Sequence, residues 1–313
     1  MNTEKICTKL TQNIKTVISG KDEIIEKMII SMICGGHILL EDMPGTGKTT
    51  LAKSLALSLD ADFRRIQFTP DLLPTEITGL NFFNQKEGDF VFRKGSAFTN
   101  ILLADEINRA TPRTQSSLLE CMEERQISEG GVTYKLDRPF MVIATQNPVE
   151  TQGTFPLPEA QLDRFFMKLS VGYPSFESEV DMLKNHGVSS PVSELHSVVS
   201  REEIISAQDE VRNIKVCDDL IDYIVRITEA TRNDMDVKVG VSPRGTLALL
   251  LASKGKAAVS GRDYVIPDDI KDVAVPVLSH RVIPNKLAAN KSEAACGIIK
   301  RIVSGIAVPS EQV

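Results

Sequence analysis

The sequence has no tryptophan, only 5% aromatic residues and only four histidines. Its five cysteines have neither the C-x-x-C or Cys/His spacing of a zinc site nor the arrangement of a disulfide framework. They are Cys7, Cys34, Cys121, Cys217 and Cys296. We therefore expect neither a structural metal nor a disulfide-stabilised secreted fold, and we interpret the cysteines as small apolar residues in a reducing compartment.

Long apolar runs are also absent. The most apolar helical stretch, residues 24–34, contains Glu26 and Lys27, whereas a membrane span needs about 20 apolar residues. The N-terminus has no signal-peptide pattern, and a formal net charge of −6 argues against a broad basic surface that coats nucleic acid. We expect a cytoplasmic protein without a membrane span, long enough at 313 residues for two domains.

The clearest positive signal lies at residues 38–50, where an apolar run leads into a Gly-rich turn and then a helical pattern. Residues 42–49 read DMPGTGKT, which fits G-x-x-x-x-G-K-[ST] except that Asp42 replaces the first glycine. The backbone N–H groups of such a loop, with the positive helix N-terminus, form an anion cradle. We expect Lys48 to reach the β- and γ-phosphates of ATP and the Thr49 hydroxyl to ligate Mg²⁺. The predicted cofactor-binding residues are Pro44, Gly45, Thr46, Gly47, Lys48, Thr49 and Thr50.

Two further apolar runs end in polar residues. Residues 101–104 lead into Asp105 and Glu106, and residues 140–145 lead to Asn147. Open α/β sheets bind ligands at the carboxyl ends of their strands. We predict that Asp105 holds the Mg²⁺, that Glu106 polarises the attacking water, and that Asn147 lies near the γ-phosphate. The alternative for Asn147 is a strand-end turn before a proline.

Two arginines are also candidates. Arg164 lies in a short predicted helix over 158–165, at the end of the sheet, with no obvious local carboxylate partner in sequence. Arg244 projects from the first turn of a helix that opens with Ser242 and Pro243, an N-cap and a first-position proline. A cation there opposes the helix dipole, so the placement is unfavourable unless an anion binds beside it. By contrast, His37 stands alone and is interpreted as structural.

Strands and helices alternate up to residue 173, and helical patterns dominate after it. This change predicts an α/β domain with a parallel sheet over 1–173 and a smaller all-α domain over 174–313. Pairs of β-like runs at 80–93 and 126–136 predict two inserted hairpins. The main predicted helices are Pro112–Glu124, Glu177–Asn185, Arg201–Arg212, Asp218–Arg232, Pro243–Ser260 and Pro267–Val277.

Together these features resemble the AAA+ ATPases, and more narrowly the MoxR family, over nearly the whole chain. The motifs that carry the resemblance are LLEDMPGTGKT at 39–49, QFTPDLLP at 67–74, DEINRA at 105–110, QSSLLE at 115–120, ATQNP at 144–148, LPEAQLDRF at 157–165 and SPR at 242–244. The resemblance implies that residues 1–173 are the AAA+ nucleotide-binding domain and 174–313 its lid.

The resemblance also implies roles for single residues. Asn147 resembles the residue called sensor 1, Arg164 the arginine finger and Arg244 sensor 2. The ribbon at 80–94 resembles the helix-2 insert of the family, and the hairpin at 126–137 its pre-sensor-1 insert. An arginine finger acts on the nucleotide of a neighbouring subunit. Arg244, carried by the lid, would couple the loss of the γ-phosphate to the angle between the domains.

At the level of the whole protein, the resemblance implies a homo-oligomeric ring, usually a hexamer, that binds ATP and Mg²⁺. Family members are thought to act as chaperone-like remodelling ATPases, often beside a partner with a von Willebrand factor A domain. They are linked to metal-cofactor insertion and complex maturation. Two alternatives stay open: a magnesium-chelatase-like ATPase subunit, whose signature overlaps, and a nucleic-acid motor, because related helicase ATPases share both inserts. A non-enzymatic nucleotide switch is disfavoured by Glu106 and Arg164.

Overall fold

The computed structural model describes residues 2–18, 20–43, 45–147, 153–174, 176–185, 192, 195–285 and 291–309. Its strands are β1 (Ile38–Glu41), β2 (Phe63–Gln67), β3 (Gly79–Asn84), β4 (Asp89–Lys94), β5 (Ile101–Asp105), β6 (Gln126–Glu129), β7 (Val132–Lys135), β8 (Met141–Gln146), β9 (Met167–Leu169), β10 (Val237–Val239) and β11 (Ile283–Pro284). Its helices are α1 (Asn2–Lys15), α2 (Asp22–Ile33), α3 (Lys48–Leu57), α4 (Pro74–Thr78), α5 (Pro112–Glu124), α6 (Glu159–Leu162), α7 (Phe176–Asn185), α8 (Arg201–Arg212), α9 (Asp218–Asn233), α10 (Pro243–Val259), α11 (Pro267–Leu278) and α12 (Lys291–Gly305). Short 3-10 turns lie at Ile107–Arg109 and Ser279–Arg281.

A five-stranded parallel sheet in the order β2-β5-β8-β1-β9 forms the centre of the molecule. Every residue of β5 is buried, as expected for a central strand covered on both faces. Successive residues of β1 point to opposite faces: Ile38 and Leu40 join one hydrophobic cluster and Leu39 the other. We call the edge where the parallel strands end the carboxyl edge, and the edge where they begin the amino edge. The predicted α/β fold is thereby confirmed.

Both predicted hairpins are present. β3 pairs antiparallel with β4, and β6 with β7. The two ribbons meet through a stacked ring pair, in which Phe92 and Tyr134 have centroids 4.1 Å apart. Phe83 and Phe90 lie on the exposed side of the first ribbon.

The C-terminal part is helical from α7 onward, with one addition that the sequence did not predict. β10 and β11 form a short antiparallel ribbon. The last helix, α12, is also outside the predicted set, although its buried residues have helical spacing: Ala295, Ile298, Ile299 and Ile302. Within the described part of the chain, no helix combines the length and apolar composition needed to cross a bilayer.

The helical part packs directly on the N-terminal helices. Residues of α1, α2, α8, α9, α10, α11 and α12 share one hydrophobic cluster with one face of the sheet. Ion pairs link three of these helices: the buried Lys27 of α2 pairs with the partly exposed Asp272 of α11. Lys256 of α10 bonds Glu26 at 2.7 Å and Asp272 at 3.2 Å. The buried Lys27 is thus paired, as a buried charge must be, and the same carboxylate connects α2, α10 and α11.

Candidate active site

The Gly-rich loop joins β1 to α3, as the sequence predicts. Gly45 and Gly47 have φ angles of 82° and 83°, in the left-handed region that glycine adopts without strain. A Cβ at either position would meet nothing within 4 Å, so the loop is open to a ligand. α3 begins at Lys48. Pro44 lies outside the described residues.

Lys48 connects this loop to the end of β5. Its Nζ donates to the backbone oxygen of Asp42 at 2.7 Å. Partial burial lowers the pKa of Lys48, while the negative charges of Asp42, Asp105 and Glu106 act in the opposite direction. The ammonium group therefore lies within electrostatic reach of both carboxylates at the end of β5.

Asp105 is fixed by two neighbours. Its Oδ1 accepts from the Thr145 hydroxyl at 2.6 Å, and its Oδ2 accepts from Arg65 Nη2 at 2.6 Å. The described residues contain no cluster of three or more His, Cys, Asp or Glu side chains that could hold a metal by themselves. Mg²⁺ at nucleotide sites binds to one or two carboxylates together with substrate phosphates. Asp105 and the Thr49 hydroxyl suit an ion of that kind.

Glu106 adopts an uncommon backbone conformation, with φ 56° and ψ 51°. Left-handed geometry costs a non-glycine residue roughly 1–2 kcal/mol, and such residues cluster at functional sites. Its N–H donates to Thr145 Oγ1 at 2.8 Å. Its Oε2 accepts from Gln67 Nε2 at 2.8 Å and from Arg109 Nε at 2.9 Å. The carboxylate is thus aimed by contacts that the sequence did not reveal.

These supporting residues could not be recognised in the sequence, for a physical reason. Arg65 and Gln67 lie on β2, which pairs with β5 in the register Gln67↔Asp105, and the order of strands is not visible in one sequence. Asn147 follows β8 and is 5% exposed. It therefore lies at the same carboxyl edge as Asp105, since β5 and β8 are parallel neighbours.

Asp42, which replaces the usual glycine, ties the loop to the chain after β9. Its carboxylate accepts from Ser170 Oγ at 2.8 Å and from Gly172 N at 3.2 Å, and also from Val171 N. The residue is 8% exposed. Asp42 thus anchors the start of the loop through its side chain while its carbonyl receives Lys48.

Removing this anchor should destabilise the fold. Asp42→Ala leaves the backbone N–H groups of Val171 and Gly172 without their acceptor. We expect this loss to lower the free energy of unfolding by about 2–4 kcal/mol. Urea unfolding followed by circular dichroism measures the change. Asp60→Ala, which removes an exposed carboxylate, is the matched control and should change stability by less than about 0.5 kcal/mol. Equal midpoints for the two variants would contradict the anchoring role.

The two candidate arginines lie together at the other edge of the sheet. Arg164 Nε is 3.1 Å from Glu123 Oε2, and Arg244 Nη2 bonds Glu123 Oε1. Arg164 precedes β9, whose first residue Met167 pairs with Ile38 at the start of β1. The phosphate-binding loop begins after the four residues of β1, about 13 Å away along the strand. Within one chain, the structure therefore does not bring Arg164 and Arg244 to the loop.

The resemblance implies that Arg244 responds to loss of the γ-phosphate, but within one chain Arg244 lies at the amino edge, away from the phosphate-binding loop. Its local structure is as predicted: Ser242 is the N-cap, accepting from Gly245 N, and Pro243 follows. The difference arises from how α10 packs, since Ser242 Oγ donates to Asp163 Oδ2 at 2.8 Å and so holds the helix start near the amino edge.

His37 is structural. Val142 N donates to its Nδ1 at 2.9 Å, so Nε2 carries the proton and donates to Met122 O at 3.0 Å. Burial lowers the pKa of His37 to about 3. The ring stays neutral at ordinary pH and fixes the start of β1.

A cavity of about 950 Å³ adjoins the start of the phosphate-binding loop. It is lined by the beginning of α2, the ends of β1, β8 and β9, and residues of α11 and α12. Ligand pockets commonly have volumes of about 300–1,000 Å³, so the space is sufficient for a nucleoside.

Comparison with known proteins agrees with this geometry. Residues 37–167 match the model of the ATPase family associated with various cellular activities (AAA), and residues 229–298 match an AAA lid domain. The crystal structure of an ATPase candidate from Cytophaga hutchinsonii superposes with a TM-score of 0.88 at 38% identity, covering 98% of this chain and 96% of that one.

Two relatives are similar over most of their length. Uncharacterized protein YeaC of Bacillus subtilis is 47% identical over 304 residues, covering 97% of this chain and 95% of the relative. Chaperone MoxR1 of Mycobacterium tuberculosis is 41% identical over 305 residues, covering 95% and 80%. With its parallel sheet, its two hairpins and its helical lid, this chain belongs to the MoxR family of AAA+ ATPases.

Proposed function

We propose that the protein is a Mg²⁺-dependent ATPase that works as a ring and remodels a partner protein. Family membership implies nucleotide binding and ATP hydrolysis. The observation that carries the proposal is the distance between the two halves of the candidate site. The phosphate-binding loop and the carboxylates lie at one edge of the sheet, and both arginines lie at the other.

At the carboxyl edge, each residue has a task in phosphoryl transfer to water. The loop N–H groups of 45–49 and Lys48 hold the phosphates. Asp105 and Thr49 would hold the Mg²⁺, which neutralises phosphate charge when bound. The Glu106 carboxylate lies 2.8 Å from Gln67 Nε2 and 2.9 Å from Arg109 Nε, contacts that orient it to polarise the attacking water. Asn147 would orient that water.

At the amino edge, Arg164 and Arg244 supply positive charge without a phosphate of their own chain in reach. A second subunit that docks its carboxyl edge there provides one. An arginine presented in trans stabilises the charge that develops on the transferred phosphoryl group, and is worth roughly 10³–10⁵ in rate. The interface is then head to tail, and an interface of this kind forms a ring when the rotation between subunits closes on itself.

The partner follows from the family. A relative that is 41% identical is described as a chaperone, which supports remodelling of a protein rather than of nucleic acid. We propose a partner with a von Willebrand factor A domain and a role in maturing a complex, including insertion of a metal cofactor. The Glu106→Gln chain, which is expected to retain ATP, is the form with which to isolate that partner.

Mixed rings test the proposal. Neither Arg164→Ala nor Lys48→Ala subunits should hydrolyse ATP alone, because each lacks one half of every site. Mixed in equal amounts, about one interface in four joins an intact loop to an intact arginine, so activity should return to about a quarter of that of the unchanged ring.

The control mixes Arg164→Ala subunits with subunits that carry both substitutions, which leaves no complete interface and should restore nothing. Light scattering measures assembly in each mixture. Assembled mixed rings without recovered activity would contradict action in trans, and chains that hydrolyse ATP fully as monomers would contradict the ring.

A further inference from the structure

A cavity of about 500 Å³ lies at the amino edge, whereas the phosphate-binding loop lies at the carboxyl edge. Its lining is rich in positively charged side chains. Six arginines contribute to it: Arg125, Arg138, Arg164, Arg212, Arg244 and Arg281. The family resemblance gives roles to only two of them.

Few negative charges oppose this cluster. Asp163 bonds Arg281 Nε at 2.7 Å and Ser242 at 2.8 Å, so its carboxylate is already engaged. Asp209 lies 3.4 Å from Arg138 and 3.7 Å from Arg212, in exposed pairs that contribute little. Glu123 is the remaining carboxylate on the wall of the cavity.

The arginines also crowd one another. Burial lowers the pKa of the Arg125 guanidinium, and the charges of Arg138 and Arg212 lower it further. The Arg125 guanidinium donates to the backbone oxygen of Gly35, a neutral acceptor. Six arginines face three carboxylates, Glu123, Asp163 and Asp209, so positive charge is in excess here, and a cleft lined mainly by one sign of charge attracts ions of the opposite sign.

Glu123 is placed where such an anion would bind. It bonds Arg164 with one oxygen and Arg244 with the other, which imitates the way two arginines share a phosphate. Arg244 lies in the first turn of α10, where its charge is unfavourable unless an anion lies beside it. In the isolated chain that anion is Glu123.

We infer that this cavity is a binding site for a polyphosphate group, formed by Arg138 and Arg212 together with Arg164 and Arg244, and that Glu123 occupies it until phosphate displaces the carboxylate. The natural ligand would be the triphosphate of a nucleotide held by a neighbouring subunit, and this part of the inference rests on the proposed function. The site itself belongs to a single chain. Glu123 is thus a counter-ion that keeps both arginines inactive before assembly and positioned for it.

The test uses the full chain carrying Lys48→Ala, which weakens the phosphate-binding loop, and inorganic tripolyphosphate without magnesium as the probe. Isothermal titration should show one molecule bound per chain. Adding Glu123→Gln should tighten binding about tenfold, because a competing negative charge is removed. Adding Arg138→Gln or Arg212→Gln should weaken it several-fold, and all affinities should fall as salt rises.

Two variants serve as matched controls. Glu124→Gln makes the same charge change one residue away on an exposed side chain outside the cavity, and Arg226→Gln removes an exposed arginine of α9. Both should bind tripolyphosphate as the Lys48→Ala chain does. The inference is wrong if nothing binds, if Glu123→Gln has no more effect than Glu124→Gln, or if Arg138→Gln has no effect.

This binding needs neither a ring nor turnover, so its outcome is separate from that of the mixed-ring experiment. Binding with the expected pattern but no recovery in mixed rings would contradict the proposed function alone. Recovery in mixed rings without the expected binding pattern would contradict only the roles inferred for Glu123, Arg138 and Arg212.

Discussion

Replacing Arg164 by alanine should leave ATP binding unchanged and slow hydrolysis about 10³-fold or more. The guanidinium lies at the amino edge, bonded to Glu123, and contacts none of the described residues of the phosphate-binding loop in its own chain. Its contribution is therefore expected only in the transition state on a neighbouring subunit, so kcat should fall while the Kd for ATP stays the same. Steady-state hydrolysis and equilibrium binding of a fluorescent ATP analogue measure the two quantities.

Arg164→Ala should not destabilise the fold enough to obscure the result. The pair with Glu123 is partly exposed, and such pairs contribute about 1 kcal/mol or less. Arg164→Lys keeps the charge but loses the planar fork that binds two oxygens, so it should recover only part of kcat. Arg113→Ala, an exposed arginine of α5, should retain full activity. An Arg164→Ala ring with normal kcat would exclude the arginine from the reaction.

The arrangement of charges follows one rule at both edges of the sheet. At the carboxyl edge, Arg65 holds Asp105 and Arg109 holds Glu106. At the amino edge, Glu123 holds Arg164 and Arg244. In each case a side chain of opposite charge satisfies a group that the proposed reaction needs for phosphate, metal or water. These pairs keep the candidate residues ordered in a single chain. In the proposed ring, contacts to the nucleotide would replace them.

The elements that carry these residues could be predicted from local signals. Helix α5 runs from Pro112 to Glu124 as predicted, because proline suits a first turn and its apolar residues recur at helical spacing. Strand β5 was visible as an uninterrupted apolar run ending in two carboxylates. Both hairpins had turn residues between β-like runs.

The contacts within the site could not be predicted in this way. Arg164 has no carboxylate three or four positions away in sequence, yet Glu123 binds it. Glu123 also binds Arg244, 121 positions further along the chain. The position of Arg244 depends on how the lid packs against α1 and α2, which is set by the shared hydrophobic cluster and not by any motif. Local signals in a sequence show where strands and helices begin and end. Which of these ends lie next to each other in space depends on strand order and on how the helices pack.

Replacing Glu106 by glutamine should give a chain that binds ATP and hydrolyses it at least about 10²-fold more slowly. Glutamine has nearly the shape of glutamate and can still accept from Gln67 and Arg109, so the strained turn at φ 56° should persist. What it loses is the negative charge that polarises water. Glu229→Gln, the same change on an exposed residue of α9, should hydrolyse ATP normally.

Comparing Glu106→Gln with Asp105→Asn separates the role in water activation from the role in metal binding. Asp105 is the expected metal ligand, so its change should weaken the magnesium dependence of ATP binding, whereas Glu106→Gln should leave that dependence intact and affect only the chemical step. ATP binding titrated at several magnesium concentrations, together with single-turnover hydrolysis, separates the two. If Glu106→Gln lowered magnesium-dependent binding instead, or hydrolysed ATP at the full rate, the roles of the two carboxylates at the end of β5 would have to be reassigned.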